Sequence, residues 1–188
     1  SGGYEITGVD IREEGHVSGT LSGAVVAALL VDSLDDPFFP TEGVFFDSKL
    51  SALQTDLSTM SPDDNVDYEA TAHGVFSLGH SSFSIYGESA GVFGDGGFNA
   101  HSEHDLGGLF RLSGLPNGSL RSNQLALTRL GWQHRVAGPQ SGLAQAPVYL
   151  GLTAEAGNVF ESYDAFDLRY AGSAYLGLRT GLGPVYLA

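Results

Sequence analysis

The stretch VYLGLTAEAG, residues 148–157, alternates between two kinds of side chain. One face is aliphatic and comprises Val148, Leu150, Leu152, Ala154 and Ala156. The other face is small or polar and comprises Tyr149, Gly151, Thr153, Glu155 and Gly157. A period of two residues is typical of a β-strand, because successive side chains of a strand point to opposite faces. The stretch therefore predicts a strand with an aliphatic outer face and a small or polar inner face.

The same alternation recurs along the chain. Residues 174–182 repeat it clearly, with Leu176, Leu178 and Leu182 on the aliphatic face. Weaker examples cover residues 4–13, 16–31, 44–50, 68–76, 82–86 and 124–136. We therefore expect about seven or eight strands, many of about ten residues or more, whereas strands in soluble proteins average about five or six. Strands of about 9–11 residues are the length that a tilted strand needs to cross a bilayer.

The expected connections differ in length and favour one class of β protein. Residues 35–43 and 61–65 predict short turns, whereas residues 93–115 and 137–146 predict long polar loops. Short turns that alternate with long loops are typical of outer-membrane barrels. The expected fold class is all-β, an antiparallel, up-and-down transmembrane β-barrel or half-barrel. Residues 1–188 then form a single barrel domain or the C-terminal part of a larger barrel.

The pattern allows two other interpretations. A soluble β-sandwich would also alternate, but its polar face favours Lys, Thr and Glu. Here that face carries Gly, Tyr, Ser and isolated charges such as Glu155 and Arg179, which suits a crowded barrel interior. Residues 50–57 have a spacing that would also fit about two turns of helix.

The charge balance and the composition exclude several kinds of partner. The chain has 8 Lys plus Arg against 22 Asp plus Glu, a net charge of −14. Binding nucleic acid needs clustered cations, and electrostatic attachment to anionic lipid needs them too. With no Cys, the chain has no disulfide and no thiolate metal site. Its best aliphatic run, residues 24–31, is too short for a transmembrane helix, which needs about 20 residues.

The motif GESAG, residues 87–91, satisfies the G-x-S-x-G pattern of serine esterases, with Ser89 as the nucleophile. That motif works when the Ser lies on a strained turn between a strand and a helix, near backbone N–H groups that stabilise the oxyanion. Residues 90–98 contain four Gly, and each Gly costs a helix about 1 kcal/mol relative to Ala. The sequence therefore favours a Gly-rich strand, and an esterase using Ser89 is kept as an alternative hypothesis.

His101 and His104, with Asp95 and Asp105 nearby, are the candidates for a metal site in a loop. No second pair of ligands is placed by the sequence. A solvated polar loop is the favoured interpretation, and no cofactor is expected.

The C-terminal half carries a resemblance to a known family. Its residues are LGGLFRLSGLPNGSLRSNQLALTRLGWQHRV (106–136), APVYLGLTAEAGNVFES (146–162) and GSAYLGLRTGLGPVYLA (172–188). This order resembles the C-terminal barrel of bacterial patatin-like phospholipases of the type Vd autotransporter kind. That barrel belongs to the wider superfamily of outer-membrane assembly and two-partner secretion proteins. Upstream, DSLDDPFFPTEG (32–43) is similar to a turn of the superfamily, carried by Phe39, Pro40, Thr41 and Gly43.

The resemblance implies roles for particular residues. It implies that the segment of Arg111, Leu112, Ser113, Gly114 and Leu115 is a loop that folds back into the barrel lumen. Ser113 stands where the wider superfamily has an Arg, so the superfamily's lumen salt bridge cannot be carried over unchanged. Arg111 or Arg121 is then expected to supply a substitute charge, with Glu155 as its lumen-facing partner.

The resemblance also implies a function. The family's enzyme is a separate patatin domain N-terminal to its barrel, so this chain is expected to be non-catalytic. It would anchor, or help to secrete, a patatin-like phospholipase or related surface protein in the bacterial outer membrane. Its expected partners are outer-membrane lipid and either the remaining barrel strands or a second copy, with no nucleic acid. A complete small eight-stranded barrel with an adhesion or ligand-binding role is the first alternative, and the Ser89 esterase is the second.

Overall fold

A computed structural model describes residues 3–5, 10–13, 23–54, 66–93, 103–137, 147–162, 164 and 166–188. The strands are β1 (Gly3–Glu5), β2 (Asp10–Glu13), β3 (Gly23–Asp32), β4 (Gly43–Gln54), β5 (Val66–Leu78), β6 (Ser81–Phe93), β7 (His104–Leu106), β8 (Leu120–Ser122), β9 (Gln124–Ala137), β10 (Val148–Phe160), β11 (Arg169–Thr180) and β12 (Gly183–Leu187). The all-β prediction is therefore confirmed. Within the described part of the chain, no helix has the length and apolar character required to cross a membrane.

The main sheet is antiparallel, and its strands follow one another up and down in chain order. Eight of its strands are hydrogen-bonded in the order β3-β4-β5-β6-β9-β10-β11-β12. The short strands β1 and β2 both pair with β3 at the edge of the sheet. The sheet curves into a half-barrel. The predicted half-barrel is thus confirmed, and so is the expected number of long strands. The small hairpin β7–β8 lies within the connection between β6 and β9.

The pairing register sorts side chains onto two faces, as the alternation predicted. Thr153 pairs with Gly131 and Ser173, and Leu152 pairs with Trp132 and Ala174. We call the face of Tyr86, Arg129 and Glu155 the inner face, because the loops described below pack on it. The face of Ile85, Leu130 and Leu152 is the outer face.

Every Asp, Glu, Lys and Arg of the strands β4, β5, β6, β9, β10, β11 and β12 is placed on the inner face by that register. These residues are Asp47, Lys49, Asp67, Glu69, Glu88, Arg129, Arg135, Glu155, Arg169 and Arg179. The outer face of the same strands carries no Asp, Glu, Lys or Arg and is mainly apolar or small, with the polar side chains Gln124, His134 and Asn158 near the strand ends. Ile85, Leu130 and Leu152 on that face are 58%, 55% and 50% exposed, which is unusual for large aliphatic side chains on a water-facing surface.

Aromatic side chains flank the outer face of these seven strands at both ends. We call the end near Gly43, Leu78 and Ser81 the turn end and the opposite end the loop end. Near the turn end, Phe76, Phe83 and Trp132 pair across three neighbouring strands. Near the loop end lie Tyr68, Phe93, Phe160 and Tyr170, and the rings of Tyr68 and Phe93 stack with centroids 4.4 Å apart.

Some predicted boundaries were wrong. The helical alternative for residues 50–57 is wrong at least for residues 50–54, because β4 keeps its pairing with β3 through to Gln54. The strand predicted at residues 174–182 begins earlier, at Arg169, and ends at Thr180, where a turn leads into β12. Residues 55–65 and 138–146, which include two predicted connections, lie outside the described residues.

Candidate lumen site

The described part of the connection between β6 and β9, residues 103–123, packs on the inner face of the sheet and is called the lumen loop here. Leu106 and Leu112 of this loop are 0% and 1% exposed and pack against inner-face residues of the sheet. Those residues are Ala90 of β6 and Leu125 and Leu127 of β9. This cluster of buried apolar residues thus lies inside the curve of the sheet, and burying each of the two loop leucines contributes about 1.5–3 kcal/mol.

The tip of the lumen loop has an unusual backbone conformation. Phe110 and Leu112 have φ angles of 67° and 64°, in the left-handed region that bulky residues rarely adopt. Each such residue costs about 1–3 kcal/mol and persists only where the surrounding structure holds it in place. Local hydrogen bonds hold this tip, from the Phe110 N–H to Ser113 Oγ (3.0 Å) and from the Leu115 N–H to the Leu112 carbonyl (3.2 Å). Gly114, with φ 95°, completes the turn without strain.

Ser113 at the tip binds the buried carboxylate of Glu155. The Ser113 N–H donates to Glu155 Oε2 at 2.6 Å, and the Ser113 hydroxyl donates to Oε1 at 2.9 Å. Thr153 donates a third hydrogen bond to Oε1, also at 2.6 Å. Glu155 is only 2% exposed. Its carboxylate loses its water on burial, and these three donors compensate for that loss.

Arg111 does not pair with Glu155, so that sequence expectation was wrong. Its guanidinium instead binds Glu88 of β6 through Nη2–Oε1 (2.6 Å) and Nε–Oε2 (3.2 Å), and it lies 3.3 Å from Asp105. Burial works to lower the pKa of Arg111, but Glu88 and Asp105 outweigh it and the pKa is raised, so the group stays charged. Glu155 needs no Arg at the tip because Ser113 offers it both a backbone and a side-chain donor.

Arg121 was also expected near Glu155 and is found elsewhere. It lies in β8, is exposed, and is 3.7 Å from Glu103 and 3.4 Å from the Gly118 carbonyl. The β7–β8 hairpin carries it away from the loop tip.

Arg129 is the inner-face residue that the sequence did not single out. Its guanidinium lies over the rings of Tyr86 (4.5 Å) and Phe110 (5.5 Å) and donates to the Phe110 carbonyl at 3.1 Å. Its pairing with Glu155 in the register of β9 and β10 became visible only with the structure. The mixed faces of residues 124–136 hid it.

The connection between β3 and β4, residues 33–42, crosses the inner face at the turn end and is called the floor loop. Asp36 accepts hydrogen bonds from the N–H groups of Phe38 (2.8 Å) and Phe39 (2.9 Å) and pairs with Arg179 of β11. The hydroxyl of Tyr186 in β12 donates to the Phe38 carbonyl at 3.2 Å. A loop from one side of the half-barrel therefore contacts the two strands at the other side.

Three of the four predicted turn residues lie in the floor loop, and the fourth, Gly43, begins β4 directly after it. Phe39 is 1% exposed and stacks on Tyr149 with centroids 4.4 Å apart. The Pro40 carbonyl accepts from Gln133 Nε2 at 2.7 Å. Thr41 donates to Asp35 from its N–H (2.7 Å) and its hydroxyl (2.5 Å). Gly43 has φ 113°, and a Cβ there would overlap the Ser33 carbonyl.

The hydrogen bonds to Asp35 affect its titration. Partial burial works to raise the pKa of this carboxyl, but the hydrogen bonds from Thr41 and Glu42 outweigh it and the pKa is lowered. The ionised form of Asp35 therefore stabilises the floor loop.

A cavity of about 220 Å³, the lumen chamber, lies between the floor loop and the tip of the lumen loop. Its walls include Phe38, His73, Phe110, Arg129, Tyr175 and Tyr186. The rings of Phe110 and Tyr175 meet at 5.1 Å, and those of Phe110 and Tyr186 at 5.3 Å. Both loops thus fill the inside of the half-barrel and leave this space between them.

Ser89 lies in mid-strand on the outer face. Its pairing neighbours are Ala70 and Ala126, and β6 continues past it to Phe93 without a turn or a helix. Neither neighbour can activate a hydroxyl, so the described residues around Ser89 do not form the strand-turn-helix arrangement of an esterase.

His101 and Asp95 lie outside the described residues. His104 is in β7, and its Nε2 has no hydrogen-bond partner among the residues that the structure describes. The described residues contain no group of three or more His, Asp or Glu side chains placed to hold a metal ion.

Comparison with known proteins identifies no family for this chain. No protein-family model matches the sequence, and no curated protein matches it significantly. The resemblance of residues 106–188 to the barrel of patatin-like phospholipases therefore stays a prediction from the sequence.

Proposed function

We propose that this chain is a segment of an outer-membrane β-barrel, with its outer face toward lipid and its lumen filled by two loops. The observation that carries the proposal is the distribution of charge. All ten charged side chains of the seven strands from β4 to β6 and β9 to β12 share the inner face. A charged side chain facing lipid at mid-membrane costs about 2–4 kcal/mol for Arg or Lys, whereas one in the lumen is tolerated.

The spacing of the aromatic side chains supports the same proposal. Tyr68 and Phe76 are eight residues apart on the outer face of β5, which is about 27 Å along a strand. With a strand tilt of about 40°, that corresponds to about 21 Å along the barrel axis. Outer-membrane barrels have an apolar band of about 25 Å between two aromatic girdles.

The two loops favour an anchor over an open pore. The lumen loop is held by Glu88 and Glu155, and the floor loop by Arg179 and Tyr186. The lumen chamber is a cavity of about 220 Å³ between these two loops. The anchored cargo, a patatin-like phospholipase or related surface protein, is proposed on the resemblance of residues 106–188 alone.

The direction of the edge strands bears on what completes the barrel. β1 and β2 pair antiparallel with β3, and β12 pairs antiparallel with β11. Both edges consequently run from the turn end to the loop end. If a second copy had the same orientation in the membrane, its β1 and β2 would run parallel to β12 of the first copy. A parallel pair would break the up-and-down pattern. An odd number of further strands would keep every seam antiparallel, and we propose these in preference to a second copy.

The proposal is tested by electrophoresis and fractionation of the full-length protein. A folded barrel should stay in the membrane fraction after alkaline washing and migrate differently in detergent gels before and after boiling. A protein that stays in solution without detergent, with no shift on boiling, would contradict the proposal.

A further inference from the structure

We propose that the lumen chamber binds a small organic monoanion with a flat apolar body, of the aromatic carboxylate class. This goes beyond the anchor function and does not depend on the membrane, because the chamber is formed by contacts inside the half-barrel.

The charges around the chamber differ from those of the whole chain. The chain has 22 Asp plus Glu against 8 Lys plus Arg. The described residues that line the chamber nevertheless include Arg129 and His73 and no Asp or Glu. An anion entering this space therefore meets a cation and no carboxylate.

Arg129 has donors to spare. A guanidinium has five N–H donors, and among the described residues the hydrogen bond of Arg129 goes to the Phe110 carbonyl. Glu155, its pairing neighbour, turns its oxygens to Ser113 and Thr153 instead. Arg129 forms no ion pair within 4.0 Å in the described part of the chain. Glu155 still acts on Arg129 through space, but it occupies none of the guanidinium's N–H donors. A partly buried cation with open donors binds an anion more strongly than a solvated one does.

The size and the walls of the chamber indicate the size and the aromatic character of the ligand's apolar part. An apolar cavity of about 150 Å³ accommodates benzene, so 220 Å³ suits a single ring with a carboxylate. The aromatic walls of Phe110, Tyr175 and Tyr186 can contact the ring face or edge. Arg129 then receives the carboxylate from the side of the sheet.

The test uses benzoate as the probe and benzamide as its neutral counterpart, titrated calorimetrically into the full-length protein in detergent. We expect saturable benzoate binding with a dissociation constant at or below about 1 mM, and binding of benzamide at least about tenfold weaker. Equal binding of both compounds, or no benzoate binding, would overturn the proposal.

Two variants and a control locate the site. Arg129→Gln should weaken benzoate binding at least about tenfold. Ser84→Leu, which fills the chamber from its wall without touching the charge, should abolish it. Arg135→Gln removes an exposed Arg from the same face of β9 and should leave binding unchanged. The thermal unfolding transition, followed by circular dichroism, reports whether each variant is folded, whether or not the protein is a membrane barrel. Unchanged binding in folded Arg129→Gln or Ser84→Leu would place the benzoate elsewhere and refute the proposal.

Discussion

Ser113 and Glu155 are joined by two hydrogen bonds, one from the backbone N–H and one from the hydroxyl of the serine. They lie 42 residues apart in sequence, one at the tip of the lumen loop and the other in the middle of β10. The serine thus fastens the loop to the sheet without a charge of its own. The left-handed backbone at Phe110 and Leu112 is held in place by this attachment together with the Arg111–Glu88 ion pair.

Replacing Glu155 by Gln should loosen the lumen loop. An amide offers one acceptor oxygen where Ser113 and Thr153 now donate three hydrogen bonds to two charged oxygens. We expect a loss of about 2–4 kcal/mol in the free energy of unfolding and faster proteolysis within residues 103–123. Ser113→Ala keeps the N–H bond and should cost only about 0.5–1.5 kcal/mol. Glu155→Gln with wild-type stability would contradict this account.

Gly177→Ala tests the packing of the floor loop. A Cβ at Gly177 would overlap Phe39 Cε1, because the ring of Phe39 lies directly on this glycine. We expect a loss of about 1–3 kcal/mol from overpacking. Gly181→Ala is the control, since its Cβ would have nothing within 4 Å. Equal unfolding midpoints for the two variants would show that Phe39 is not fixed against β11.

The contribution of Asp35 should depend on pH. The pKa of Asp35 is lowered from its ordinary value of 3.8 on folding, so its stabilisation is present above pH 3.8 and is lost as the pH falls through the lower folded value. Asp35→Asn should therefore cost up to about 1 kcal/mol at neutral pH, a small effect because the carboxyl is largely exposed. The difference in unfolding free energy from wild type should shrink under strongly acidic conditions. A difference that is constant or grows on acidification would contradict the assignment.

Ser89→Ala should leave any hydrolysis of short-chain esters unchanged. Ser89 lies between Ala70 and Ala126 on the outer face, with no base beside it among those neighbours. The assay compares p-nitrophenyl ester hydrolysis by wild type and variant. Loss of a measurable activity in the variant would revive the esterase hypothesis.

The strands and their faces could be predicted from the sequence because alternation is local. Val148 to Gly157 show their two faces within ten residues, and the pairing with β9 and β11 keeps them. The predicted strand boundaries were wrong where pairing between strands outweighs the local spacing of apolar residues. At residues 50–54 the spacing also fits a helix, but β4 remains paired with β3.

The contacts of the lumen loop could be predicted only in part because they join residues far apart in sequence. The sequence and the resemblance placed Glu155 opposite the loop tip but assigned it an Arg partner. The actual donors, the N–H and hydroxyl of Ser113, became visible only when the backbone at the tip was known. Arg129 was missed because its role depends on Tyr86 and Phe110, which belong to other elements.

The most direct test of the lipid-facing outer surface is a pair of neighbouring substitutions in β5. Ala72 lies on the outer face between Phe46 and Gly87, and Thr71 lies on the inner face between Asp47 and Glu88. We predict that Ala72→Arg lowers the free energy of unfolding in lipid vesicles by about 2–4 kcal/mol, whereas Thr71→Arg changes it by less than about 1 kcal/mol. Equal effects of the two substitutions, or a larger loss for Thr71→Arg, would contradict a membrane-facing outer surface.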